Sequence, residues 1–128
     1  MIKKKRILLV DDEADFVEVL RIRLEDSNYE VIVAYNGEEG LERAEREEPD
    51  LILLDIMLPK ISGFDVCRKL KIDKNFKDIP IIMLTAKFQP NDIRFGEGMG
   101  ADAYITKPFE PQVLLAKMRE LLDKKKAS

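Results

Sequence analysis

Short, wholly apolar runs alternate along this chain with longer stretches in which apolar residues recur every three or four positions. The runs at residues 7–10, 31–34, 51–54, 81–84 and 103–105 are rich in β-branched residues and bounded by charge or proline, which predicts five short strands. Between them, Phe16, Val17, Leu20 and Leu24 draw one helical stripe, and Leu114, Leu115, Met118, Leu121 and Leu122 draw another. A further helix starts after Asn36, a natural N-cap, carries Glu39/Arg43 and Glu42/Arg46 as i,i+4 pairs, and stops before Pro49. Weaker helical patterns cover residues 63–71 and a glycine-rich stretch at 91–99. Strands without a polar face need cover on both sides. The alternation therefore predicts an α/β, doubly wound fold with a five-stranded parallel sheet between helical layers.

Composition narrows the picture. A length of 128 residues with 45% hydrophobic content suits one core, so a single domain over residues 1–128 is expected, with no output domain. The net charge of −3, with both signs mixed along the chain, speaks against direct nucleic-acid binding. No apolar run approaches the roughly 20 residues that cross a bilayer, and the block after Lys3-Lys4-Lys5-Arg6 is too short for a signal sequence, so no membrane partner is expected. The lone Cys67 cannot close an internal disulfide and reads as a buried helix position in a cytoplasmic protein. Histidine is absent, which leaves carboxylates, lysines, hydroxyls and backbone for chemistry. The tail from Asp123 onward reads as a frayed, solvated end.

In open parallel sheets, ligands collect beyond the carboxyl ends of the strands, where strand order reverses. Those ends carry Asp11 and Asp12 after the first strand, Asp55 after the third, Thr85 after the fourth and Lys107 after the fifth. Taken singly, each has a plain structural explanation: Asp11 or Asp12 as a helix cap, Asp55 in a turn, Thr85 as a cap, Lys107 as a loop charge. Taken together they converge on one edge. Two carboxylates about 4 Å apart repel by about 4 kcal/mol at an effective dielectric near 20, so three of them call for a cation. The donors are all hard oxygens, which points to Mg2+ (or Mn2+). A carboxylate beside such an ion can attack phosphorus, with the Lys107 ammonium neutralising charge and Thr85 donating to a phosphoryl oxygen.

The chain resembles the receiver domain of bacterial two-component response regulators over nearly its whole length. The matching pieces are ILLVDDE at residues 7–13, DLILLDIMLPKISG at 50–63, PIIMLTAK at 80–87 and GADAYITKPF at 100–109. Steps of 43, 30 and 22 residues lead from Asp12 to Asp55, Thr85 and Lys107. The resemblance implies a flavodoxin-like fold in which Asp55 is the phosphorylated aspartate and a metal ligand. It implies Asp12 as the direct Mg2+ ligand, Asp11 as the acid that holds the metal through water, and Met57 as the donor of a backbone carbonyl. Thr85 and Lys107 would grip the phosphoryl group. Tyr104 would turn inward after Thr85 shifts and so alter the face made by the fourth helix, fifth strand and fifth helix, through which a dimer can also form. The Lys107-Pro108 bond is cis by resemblance, although X-Pro bonds are mostly trans.

The same resemblance implies a sensor histidine kinase as phosphoryl donor, contacting the first helix near Ala14, Phe16 and Val17 and the loop after Lys107. It also implies a downstream effector protein or an output domain missing from this chain. Met57 and Lys87 stand where fast-resetting chemotaxis-type members carry polar or acidic residues, so a slowly decaying phosphorylated form is expected. Three other readings compete. A small-molecule phosphatase would need Asp-x-Asp, and Asp55 is followed by Ile56 and Met57. A flavin or dinucleotide module would need a glycine-rich phosphate cradle where Asp11-Asp12-Glu13 stands. A pseudo-receiver, working by interaction without phosphorylation, keeps the fold but has no need of the acceptor residues.

Overall fold

All five apolar runs are strands in a computed structural model, which describes residues 3–86 and 100–127, with side chains as far as Lys124. Each strand extends one residue beyond its predicted run: β1 (Arg6–Val10), β2 (Glu30–Ala34), β3 (Leu51–Asp55), β4 (Ile81–Thr85) and β5 (Ala103–Thr106). They form one parallel sheet in the order β2-β1-β3-β4-β5. The chain moves from β1 outward to β2 and then returns past β1 to β3. Strand order therefore reverses between β1 and β3, the place where such sheets open a crevice at the strands' carboxyl ends.

The described helices are α1 (Ala14–Asp26), α2 (Gly37–Glu47), α3 (Gly63–Lys71) and α4 (Pro111–Ala127). The glycine-rich stretch expected to be helical at 91–99, and Lys87, lie outside the described residues. Successive strand residues point to opposite faces, and the core divides accordingly. Leu8, Val10, Ile52, Leu54, Ile81 and Met83 pack with Val66, Cys67 and Leu70 of α3 and Ala44 of α2. Ile7, Leu9, Leu51, Leu53, Ile82 and Leu84 pack with the inner stripes of α1 and α4, including Val17, Leu20, Leu24, Leu114 and Met118. Strands β3 and β4 are buried along their whole length, whereas edge strands β2 and β5 are only partly covered. Cys67 is fully buried, as expected, and burial pushes its thiol up to about 11.

Local chemistry sets the helix ends. Asn36 caps α2 by accepting from the Glu39 N–H at 2.9 Å, while the Glu39 carboxylate accepts from the Tyr35 N–H at 2.9 Å. Glu39 is thus turned back toward the cap, and Arg43 lies 3.7 Å from Glu47. The pairing of Glu39 with Arg43 expected from spacing gives way to a stronger local use of the carboxylate. Ser62 and Asp65 form a reciprocal capping box on α3. Helix α4 keeps helical geometry through Ala127, where a frayed tail was expected.

Gly63 ties the fold to the reactive edge. A β-carbon there would lie 2.2 Å from the Asp55 carbonyl oxygen and 2.8 Å from the Ile56 Cα, both backbone atoms that cannot swing aside. The Gly63 N–H donates to the Ile56 carbonyl at 2.9 Å, so α3 starts directly against the end of β3. Gly63→Ala is expected to lower stability by about 2–4 kcal/mol in urea unfolding, as overpacking against backbone does. A loss below about 0.5 kcal/mol would mean that the contact relaxes freely.

Candidate functional site

The residues anticipated at the strand ends do meet. Asp11 follows β1, and its N–H donates to the Ala34 carbonyl at 3.1 Å, which keeps it in line with the sheet. Val10 pairs with Leu54, so the next residue of each strand sets Asp11 beside Asp55 across the reversal point. One carboxylate oxygen from each of Asp11, Asp12 and Asp55 lies within 4.8 Å of the others. Asp11 is 0% exposed and Asp55 4%, while Asp12 faces solvent. The helix-cap role open to either acid taken singly falls to neither Asp11 nor Asp12. Glu13 occupies the N-cap of α1 without a side-chain cap bond, and Asp11 Oδ1 accepts from the Glu13 N–H at 2.9 Å.

Lys107 reaches the same place from the other flank. Its N–H donates to the Thr85 carbonyl at 2.7 Å, which carries the β4–β5 ladder one step past β5 and delivers the side chain to the acidic edge. The ammonium lies 2.6 Å from Asp11 Oδ2, 3.3 Å from Glu13 Oε1 and 3.9 Å from Asp55 Oδ2. Its tightest partner is therefore Asp11, with Asp55 at the outer limit of an ion pair. It also sits 4.1 Å from the centroid of the Phe16 ring, which meets Phe109 edge to face at 6.0 Å and 86°. The Lys107-Pro108 peptide is cis, in agreement with the resemblance.

Thr85 is buried at the end of β4, in register with Thr106. Tyr104, in register with Met83, is half-buried against the layer of α2 and α3, and its hydroxyl oxygen is buried. The Met57 side chain is 73% exposed, and its N–H donates to Asp55 Oδ1 at 3.3 Å. Two neighbours of Lys107 were not singled out from sequence as its partners, Glu13 and Phe16. The run Asp11-Asp12-Glu13 offered a signal for the first; Phe16 was assigned to a helical stripe and a partner contact.

Charge and burial act against each other here. Burial raises the Asp55 carboxyl to about 6, with the Asp11 charge adding to the rise and Lys107 opposing it. Burial works to lower Lys107, but its hydrogen bond to Asp11 and the charges of Asp11 and Asp55 outweigh that and hold it above the ordinary lysine value. The donor set consists of hard carboxylate oxygens gathered in a small volume, two of them nearly buried, which fits a small divalent cation such as Mg2+. Next to this edge a groove of about 610 Å³ runs between α1 and the loop after Lys107, lined by Phe16, Val19, Ile22, Pro108 and Phe109 among others. Val17, expected at a partner contact, is 1% exposed because it lies on the inner stripe with Leu20 and Leu24; Val19 and Ile22, at 70% and 49%, are the exposed apolar residues of α1.

The raised Asp55 carboxyl has a consequence for stability. A folded value near 6 against an ordinary 3.8 means that the fold holds this proton more tightly than the unfolded chain does. Its contribution is complete below about pH 4 and is lost as pH rises through 6, by up to about 3 kcal/mol. In chelator, Asp55→Asn is expected to raise stability at pH 8 by on the order of 1–3 kcal/mol, with the gain shrinking toward pH 4. Urea unfolding at both pH values measures it, and an equal effect at pH 4 and 8 would contradict this origin.

Among known proteins, the family model for the response regulator receiver domain matches residues 7–119. The chain is 49% identical over 118 residues to the alkaline phosphatase synthesis transcriptional regulatory protein PhoP of Bacillus subtilis, covering 92% of this chain and 48% of that protein. It is 45% identical over 117 residues to the DNA-binding dual master transcriptional regulator RpaA of Synechocystis, covering 91% of this chain and 48% of that protein. The chain thus spans about half the length of the curated relatives it matches. Among solved structures, a CheY-like receiver domain protein from Methanospirillum hungatei superposes with a TM-score of 0.92 at 37% identity, covering 98% of each chain. Chemotaxis protein CheY4 of Vibrio cholerae gives 0.88 at 30% identity, covering 93% of this chain and 99% of that one. With the five-stranded parallel sheet and the acidic edge both in place, these matches make the chain a member of the response regulator receiver domain family of two-component systems.

Proposed function

We propose that this chain is a phosphorylation-activated switch in which Asp55 accepts a phosphoryl group from the phosphohistidine of a sensor histidine kinase. The observation that carries the reading is the meeting of Asp11, Asp12 and Asp55 within 4.8 Å, with the Lys107 ammonium 3.9 Å from Asp55. In the transfer, an Asp55 carboxylate oxygen forms the new bond to phosphorus. The phosphorus–nitrogen bond of the phosphohistidine breaks, and its electron pair returns to the imidazole. Asp12 would ligate Mg2+ (or Mn2+) directly, Asp11 through water, and Asp55 and the Met57 carbonyl would complete the protein's share. Such an ion, when bound, neutralises charge on the transferring oxygens and on the clustered carboxylates. Lys107 exchanges part of its contact with Asp11 for the phosphoryl oxygens, and the Thr85 hydroxyl donates to another.

The signal then leaves through the sheet. Movement of Thr85 toward the phosphoryl group gives Tyr104 room to turn further inward, which reshapes the surface around β5 and α4. That surface serves a downstream effector, an output domain or a second copy of the chain. The kinase docks on the groove beside α1, where Phe16, Val19 and Ile22 are accessible, and on the loop after Lys107. In this reading residues 1–128 act as one receiver domain in the cytoplasm, without direct contact with nucleic acid or membrane. Among the described residues no helix is long and apolar enough to cross a membrane. The chain catalyses only its own phosphoryl transfer and dephosphorylation and is not otherwise an enzyme.

Incubation with Mg2+ and a small acyl-phosphate donor is expected to add one phosphoryl group, seen by intact mass, labile to alkali and absent from Asp55→Asn. Labelling of Asp55→Asn to the same extent, or none in the native chain, would overturn the reading. Because Met57 is apolar and Lys87 basic, neither offers a group that positions water for attack, and the phosphorylated form is expected to persist. Met57→Asn combined with Lys87→Glu should speed phosphate loss by about tenfold or more; an unchanged lifetime would reject that explanation.

A further inference from the structure

Lys107 has a long, flexible stem and three competing carboxylates within reach, so something must decide where its ammonium stands. The ammonium is 4.1 Å from the centroid of Phe16, and the Phe16 ring is itself braced edge to face by Phe109, two residues after Lys107. Phe16 stands in the first turn of α1, directly after the Asp11-Asp12-Glu13 run, so the ring is fixed to the same segment that carries the acids. Its π face attracts the cation, and its bulk closes the flank of Lys107 that the carboxylates leave open. The Lys107 side chain is only 10% exposed as a result of this enclosure.

We propose that Phe16 is a positioning residue for Lys107, holding the ammonium at the acidic edge, where it can pass from Asp11 to a phosphoryl group on Asp55. The inference rests on the reading of Asp55 as the acceptor. Its physical content is preorganisation: an ammonium already confined beside the reacting oxygens has little left to reorganise when negative charge moves onto them. A leucine would keep the apolar packing against Phe109 but lose the π face. A tyrosine would keep the face.

The test uses the full chain, Mg2+ and a small acyl-phosphate donor, which has no protein surface to dock and so separates this role from any kinase contact at Phe16. Phe16→Leu is expected to lower the labelling rate at saturating donor about three- to tenfold with the half-saturating donor concentration unchanged, and Phe16→Tyr to restore it. In a Lys107→Ala background the same Phe16→Leu change should alter the rate by less than about twofold. Independently of any reaction, the Lys107 ε-methylene protons should show an upfield ring-current shift by NMR in the native chain and Phe16→Tyr, absent from Phe16→Leu. Should Phe16→Leu fail to fold, Phe16→Met takes its place. Labelling of Phe16→Leu at the native rate, an equal loss with and without Lys107, or no ring-current shift in the native chain overturns the proposal. Absence of labelling in the native chain fails the acceptor reading itself and the proposal with it, an outcome distinct from the others.

Discussion

Mutual repulsion among Asp11, Asp12 and Asp55, held in check by one lysine, is the constraint on which the upper edge of this fold depends. At separations below 5 Å each ionised pair opposes the others by a few kcal/mol even in a fairly polarisable environment. Two of the three carboxylates are nearly removed from water, so solvent cannot screen them fully. Lys107 satisfies Asp11 at 2.6 Å and stays within 4 Å of Asp55, and burial still leaves Asp55 reluctant to ionise. A folded chain stores unfavourable charge at one edge only when the rest of the core tolerates it. Here the unbroken apolar runs of β1, β3 and β4, buried on both faces, supply that tolerance.

The opposite ends of the strands are built differently. At the amino end of β1, Arg6 pairs with Glu30 at 2.6 Å and Glu47 at 2.7 Å, donates to the Glu47 carbonyl, and gives its own N–H to Asp50. Each of those acids has a donor, the ion pairs are partly exposed, and together they join β1 to β2, α2 and the entry to β3. Near the start of β4, Lys71 of α3 is likewise shared between the Lys77 and Ile79 carbonyls and Asp102, and Asp102 also accepts from the Ile81 N–H. Each of these acids at the amino end has a donor within about 3 Å, whereas at the carboxyl end the nearly buried Asp11 and Asp55 share one ammonium, 2.6 Å from the first and 3.9 Å from the second. The less fully satisfied acids therefore lie on the edge where the strand order reverses.

Much of this was open to inspection in the sequence because the central strands are apolar on both faces. Such runs have sharp boundaries, and the five were placed to within one residue. Strand ends in a parallel sheet lie on one edge, so Asp11, Asp12, Asp55 and Lys107 followed once the strands were known. Side-chain choices among several partners of similar reach were not legible. Lys107 had Asp11, Asp55 and Glu13 to select from, and sequence carries no information on a difference between 2.6 and 3.9 Å. Glu39 could pair forward with Arg43 or turn back to the Tyr35 amide, and the cap won because an amide at a helix start has no other acceptor. Val17 was expected both on the apolar stripe of α1 and at a partner contact; its 1% exposure keeps the first placement and removes the second, whereas Val19, off that stripe, is 70% exposed.

Charge counting at the edge links the resting arrangement to the proposed switch. With Asp11, Asp12 and Asp55 ionised, the Lys107 ammonium leaves two negative charges in that cluster, the amount that a single divalent cation offsets, while the exposed Glu13 beside the same ammonium stands outside the cluster. In the proposed switch, such a cation would offset the charge repulsion that adds to burial in keeping a proton on Asp55, and would favour its oxygen as a nucleophile. A phosphoryl group on Asp55 would replace one negative charge with nearly two, so the balance fails again in the same direction. The donors that respond in the proposed switch are Lys107 and the hydroxyl of Thr85 at the end of β4. Lys107 is already confined by Phe16 and the acids, so it has little distance to travel. Thr85 lies on the strand that pairs with β5, and in the proposed switch a shift there would be felt by Tyr104, whose register partner Met83 is two residues before it. Excess negative charge at one end of the sheet would thereby be converted, in the proposed switch, into movement of an aromatic ring on the strand beside it.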